Sequence, residues 1–124
     1  MPEHTARLVE EMWAMLEKQD WDAATDFYAE DAVEEWPQSG ERIRGRDNIM
    51  EINRNYPGFP KVTPRRTVAG GDIVVTEVVL DYNGEIYNGV SVFELKDDKI
   101  VKQTDYFAAP FEAPRWRAEW VERM

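Results

Sequence analysis

Cysteine is absent from the 124 residues, and histidine occurs once, at position 4. Without cysteine there is no disulfide framework and no thiolate chemistry, which fits a reducing cytoplasm. A lone histidine near the N-terminus reads as a solvated end residue. It cannot supply the three or four clustered ligands that a zinc site takes, so neither metal catalysis nor a metal site is expected. No run approaches the ~20 apolar residues of a membrane span. The opening MPEHTARLVEE is charged and lacks the apolar centre of a secretory signal. Basic residues are few: 15 Lys and Arg against 25 Asp and Glu leave a net charge of −10. That sign repels nucleic acid and anionic membrane, so neither is expected as a partner, and otherwise it serves solubility. A phosphate-cradling loop is also missing, since Gly70-Gly71 opens a strand rather than a helix.

What is present is ordinary in bulk and informative in order. Hydrophobic residues make up 43% of the chain, with seven Gly and seven Pro. This length predicts one domain, residues 1–124, burying roughly two thirds of its extended-chain surface. Leu8, Val9, Met12, Trp13 and Leu16 repeat with helical period and make one apolar stripe. Asp20 then offers an N-cap to a second short helix burying Trp21, Ala24, Phe27 and Tyr28, and so short a joint predicts a helical hairpin. A short strand, Val33–Trp36, closes on Pro37. After a polar loop, Gly45-Arg46-Asp47-Asn48-Ile49 starts a third helix with Ile49, Ile52, Asn53 and Tyr56 on one face. That helix ends at the Pro57, Gly58 and Pro60 breakers.

From Val62 onward the period changes to two. VTPRRTVAGG, DIVVTEVVLDYNG, EIYNGVSVFELKDD and KIVKQTDYFAAP are rich in β-branched and aromatic residues. Gly70-Gly71, Asn83-Gly84 and Asp97-Asp98 separate them as tight turns. Four such strands make an antiparallel meander, and the Val33–Trp36 strand added at an edge gives a sheet of about five. Helices first and sheet afterwards indicate the α+β class.

Three stretches carry a family resemblance: DWDAATDFYAEDAVEEWP, the GRDNI helix entry, and GVSVFELKDDKIVKQTDYF at the end of the sheet. With these the chain resembles the nuclear-transport-factor-2-like superfamily, and within it the SnoaL-like proteins related to polyketide cyclases, from about Arg7 to Phe107. The resemblance implies a cone-shaped, barrel-like α+β fold whose strongly curved, mostly antiparallel sheet wraps the N-terminal helices around a pocket. It implies no single activity, because the superfamily holds isomerases, cyclases, hydrolases, dehydratases and non-catalytic binders.

The resemblance also turns the residue after the Tyr of Asp105-Tyr106-Phe107 toward the cavity. Asp105 and Phe107 are then inside, with Glu34 and Trp36 from the first strand and Asn88, Val90 and Val92 from the fourth. Ile49, Ile52, Asn53 and Tyr56 close the lining from the third helix. A carboxylate in an apolar cup has its pKa raised and can move protons near neutrality, so Asp105 and Glu34 are the catalytic candidates. Asp105 reads alternatively as a structural carboxylate paired with an arginine, or as an outward residue if the register slips by one.

Particular family chemistries depart from this sequence. Where ketosteroid isomerases carry a base, an oxyanion-hole tyrosine and a carboxylic-acid partner, this chain has Trp36, Met12 and Val90. The Asp-Arg-Asp set of limonene-epoxide-hydrolase-like sites lacks an interior arginine here, and scytalone-dehydratase-like chemistry leans on histidines. A SnoaL-like removal of a proton alpha to a carbonyl, by Asp105 or Glu34, stays open.

Arg42, Arg44 and Arg46 read as solvated charges offsetting nearby acids, or else as groups that greet an anionic ligand at the pocket mouth, and Arg65-Arg66 is too short for a nucleic-acid patch. Glu77 is either a pocket or interface carboxylate or part of an exposed stripe. Ile73, Val75, Val79 and Phe93 form a second apolar set that predicts a homodimer through the convex face of the sheet. Trp116 and Trp120, one turn apart behind Pro114, dock on the mouth of the barrel or across that dimer. Two functional classes follow. One is a cofactor-free acid-base enzyme, cyclase- or isomerase-like, acting on a small apolar carbonyl compound. The other is a non-catalytic module that binds a hydrophobic ligand or dimerises.

Overall fold

Val9, Met12, Trp13 and Leu16 share one stripe of helix α1 (Pro2–Glu17), and all four are buried. The computed structural model describes residues 2–124. Helix α2 (Trp21–Thr25) starts at Asp20, whose side chain accepts from the Ala23 amide at 3.2 Å. Tyr28 lies beyond that helix, contrary to the sequence expectation. It opens strand β1 (Tyr28–Trp36) and is buried from there.

Six strands form the sheet, one more than expected. They are β1, β2 (Glu41–Arg44), β3 (Lys61–Gly70), β4 (Ile73–Tyr82), β5 (Glu85–Lys96) and β6 (Lys99–Ala108), in the order β2-β1-β6-β5-β4-β3. The additional strand, ERIR, falls where a polar loop is expected, because only Ile43 of its four residues is apolar, and Ile43 alone is buried. It pairs antiparallel with β1, so β1 is not an edge. On its other side β1 runs parallel to β6. Helix α3 (Arg46–Arg54) follows β2 through Gly45, whose φ of +89° is open to glycine and strained for other residues.

Two of the expected hairpin turns are in place, and the first lies one residue later than expected, at Gly71-Asp72, since Gly70 pairs with Ile73. Asn83-Gly84 and Asp97-Asp98 all take positive φ, as two-residue turns matched to strand twist require. β4 alternates as read: Val74, Thr76, Val78 and Leu80 point inward, while Ile73, Val75, Glu77 and Val79 point outward. The β5–β6 hairpin departs from simple counting. Leu95 pairs with Ile100 but Glu94 pairs with Lys102, so Val101 is bulged and every later partner shifts by one. Phe93, paired with inward Val74 of β4, lies wholly inside against Trp13, edge to face at 5.9 Å, and is not part of the outer apolar set.

Candidate functional site

The bulge at Val101 decides which residues surround Asp105. Beyond it, Ser91 pairs with Asp105 and Val90 with Tyr106. Asn88 and Val90, expected as cavity lining, pair with Val79 and Glu77 of β4 and lie on the exposed outer face, and Ser91 and Gln103 share the inner one. Two other expected lining residues are displaced. Ile49 is sunk in the core beside Met50, and Ile52 lies with Trp36 along a groove between α3 and β2. Trp36, Asn53, Tyr56 and Phe107 border the cavity that Asp105 and Glu34 also line.

Strands β1 and β6 bring the two carboxyl groups together, since Glu34 pairs with Gln103 and each neighbours a cavity residue two positions on. Trp36 Nε1 divides its hydrogen between them, 3.0 Å from Glu34 Oε2 and 3.0 Å from Asp105 Oδ2. Asp105 Oδ1 accepts from Ser91 Oγ at 2.5 Å and from Gln103 Nε2 at 2.9 Å. The Gln103 carbonyl oxygen in turn accepts from the Tyr28 hydroxyl. Buried polar groups are thus joined in one network.

Burial pushes the Glu34 carboxyl well above its usual range, and the charge of Asp105 and a hydrogen bond with it push in the same direction. Two carboxylates in one apolar site cannot both ionise cheaply, so they share a proton, and Glu34 holds it. The Tyr28 phenol is raised as well, by burial first and then by the charges of Glu34 and Asp105, and it stays a neutral donor.

One donor on the wall has no acceptor. Trp13 lines the cavity, and its buried indole N–H has no hydrogen-bond partner among the described residues. The inner chamber is small, about 80 Å³, against roughly 30 Å³ per water. In front of it lies a wider vestibule of about 390 Å³, sharing Trp36, Tyr56, Tyr82 and Phe107 as walls and adding Tyr87. Lys, Arg and His are missing from the described lining of both spaces. No group of three or more His, Asp or Glu among the described residues could hold a metal, and no described helix is long and apolar enough to cross a membrane.

Residues 9–103 match the model of the SnoaL-like domain. The chain belongs to the SnoaL-like family. Among solved structures, an NTF-2-like protein of unknown function from Burkholderia xenovorans LB400 is 39% identical, with a TM-score of 0.88 over 100% of this chain and 98% of that one. A candidate ketosteroid isomerase from Kribbella flavida DSM 17836 is 32% identical, with a TM-score of 0.93 over 99% and 91%. An LEH-like epoxide hydrolase of M. tuberculosis is 28% identical, with a TM-score of 0.73 over 86% and 84%. No curated protein matches significantly. The SnoaL-like chain thus shares the cone-shaped NTF2-like fold with proteins named for different reactions, and the reaction has to be argued from its own side chains.

Sequence reasoning did not select Ser91, Gln103, Tyr28 or Trp13. Gln103 was readable, as it sits two residues from Asp105 on one strand face. The inward face of Ser91 was readable across the Asn83-Gly84 hairpin, but its place opposite Asp105 required the bulge, and Tyr28 required knowing that α2 stops at Thr25.

Proposed function

We propose that the cavity is a cofactor-free acid-base site for a small, mostly apolar carbonyl compound, of the isomerase or cyclase kind. Asp105 takes a proton from the carbon beside the carbonyl, and the Glu34 carboxyl gives its proton to the developing enolate oxygen. The orphan indole N–H of Trp13 suits the same oxygen as a second donor. One observation carries the reading. Two carboxyl groups joined through the Trp36 indole N–H share a cavity, burial raises that of Glu34, and no cationic side chain on the described lining neutralises them. A purely structural carboxylate pair has no need of a cavity beside it. The test is hydrogen–deuterium exchange at the alpha carbon of simple cyclic ketones in D₂O, followed by proton NMR. Accelerated exchange that vanishes in Asp105→Asn is expected, whereas exchange at the buffer rate with the wild-type protein rejects the reading.

The small inner chamber favours a second reading, in which the pocket binds a ligand without transforming it. Saturable binding of such ketones with no exchange would select it.

We further propose a homodimer in the cytoplasm, joined through the outer sheet face. Val68, Ile73, Val90 and Tyr106 are 37–55% exposed there, on neighbouring strands. Trp116 and Trp120, on a 3-10 helix (Arg115–Trp120), are 74% and 73% exposed and supply more apolar surface for a partner.

A further inference from the structure

We propose that the aromatic vestibule in front of the Glu34–Asp105 pair is a subsite for a small organic ammonium group, an inference that rests on reading the cavity as a ligand site. The first argument is charge. With one proton between them, the two carboxyl groups still leave a negative charge in a chamber whose described lining has no basic residue. Arg42 on β2 and Lys102 on β6, basic residues paired with β1, are both occupied by Glu35, at 2.7 and 3.4 Å. A buried charge without a counterion is costly, so a cation that enters the mouth supplies what the chain omits.

The second argument is the nature of the walls. Trp36, Tyr56, Tyr82, Tyr87 and Phe107 surround the vestibule, whereas an apolar neutral ligand would be served equally by aliphatic side chains. Trp36 and Phe107 stand at 69° with centroids 6.4 Å apart, and Tyr82 and Tyr87 at 65° and 5.2 Å. Five aromatic rings inclined steeply to one another around one space make the kind of wall that attracts a quaternary nitrogen.

The third argument is that the tyrosine hydroxyls are already engaged. Those of Tyr56 and Tyr82 bond each other at 3.1 Å, and that of Tyr87 donates to Glu85. Ring faces are left as the contact surface, and Glu85 adds negative charge at the rim. A vestibule of about 390 Å³ has ample room for a trimethylammonium head. The net charge of −10 draws cations toward it.

The experiment compares choline with its uncharged isostere 3,3-dimethylbutan-1-ol, by calorimetry and by the NMR signal of the Trp36 indole N–H. Choline should bind at least about tenfold more tightly than the alcohol and shift that signal. Phe107→Leu and Tyr87→Leu, which keep apolar bulk, should each weaken choline about fivefold and leave the alcohol unchanged, with thermal melts reporting that both variants fold. Equal affinity for the two probes overturns the ammonium subsite but leaves the cavity a ligand site. Failure of both probes to bind overturns the subsite outright, while ketone exchange reports separately on the inner chamber.

Discussion

Ser91 stands directly across the β5–β6 ladder from Asp105 and donates its hydroxyl to Oδ1 at 2.5 Å. Without the bulge at Val101 Asp105 would stand across from Val90, on the outer face. A single inserted residue thus turns the carboxylate into the cavity and gives it a hydroxyl neighbour that lowers the cost of its charge.

Ser91→Ala should therefore cost about 1.5–3 kcal/mol, the range for a hydrogen bond to a charged group. Urea denaturation checks the value, and a loss below ~0.5 kcal/mol would mean that the hydroxyl is not holding Asp105.

The two cavity tryptophans should respond oppositely to the same change. Trp36→Phe removes the donor shared by Glu34 and Asp105 and should destabilise by about 2 kcal/mol or more. Trp13→Phe removes an N–H that has no partner among the described residues. Relief of that orphan donor offsets the lost ring volume, so a net change within about 1 kcal/mol is expected. Similar losses for both variants in thermal melts would contradict the difference in bonding.

Much of the fold was legible because its signals are local. The α1 stripe needs only helical period, and Asn83-Gly84 and Asp97-Asp98 announce positive-φ turns by residue type. What stayed illegible depends on partners distant in sequence. Ile43 alone cannot mark Glu41–Arg44 as a strand until β1 is there to pair with it. Tyr28 continues the helical spacing from Ala24, so its place in β1 shows only in the sheet. Val101 is β-branched and suits a regular strand, and nothing in its type betrays a bulge. The resemblance turns Asn88 and Val90 inward, whereas the Asn83-Gly84 hairpin pairs them with Val79 and Glu77 on the outer face; the bulge acts instead on β6, setting Asp105 opposite Ser91 on the inner face.

The proposed dimer predicts that charge on the outer face is disruptive. Val90→Asp, exposed in the isolated chain, should leave the melt of the subunit nearly intact and convert the assembly to a 14.5 kDa species in sedimentation. Wild-type protein already at that mass at micromolar concentration would remove the dimer.

Glu34 makes stability depend on pH in a definite direction. Its ordinary value is 4.5, and in the folded protein it is raised, by burial first and by Asp105 next. Between those two values the folded state binds more protons than the unfolded one, so stability falls as pH rises. The Glu34 contribution is complete below pH ~4.5 and is lost as pH climbs through the raised value, with a limiting slope of about 1.4 kcal/mol per pH unit. Glu35 works in the other window. Its carboxyl is lowered by Arg42 first, so its effect is confined to acid below the ordinary carboxylate range. Tyr28, raised from 10.0, acts only in alkali. Glu34→Gln keeps a neutral side chain whose amide can donate to Asp105 as the carboxyl does. It should flatten the slope and make the variant more stable than wild type at pH 8, while removing the acid needed for ketone exchange. Urea melts of both proteins at pH 5, 6, 7 and 8 measure this, and parallel curves would show that Glu34 is ionised in the fold and that the pair shares no proton.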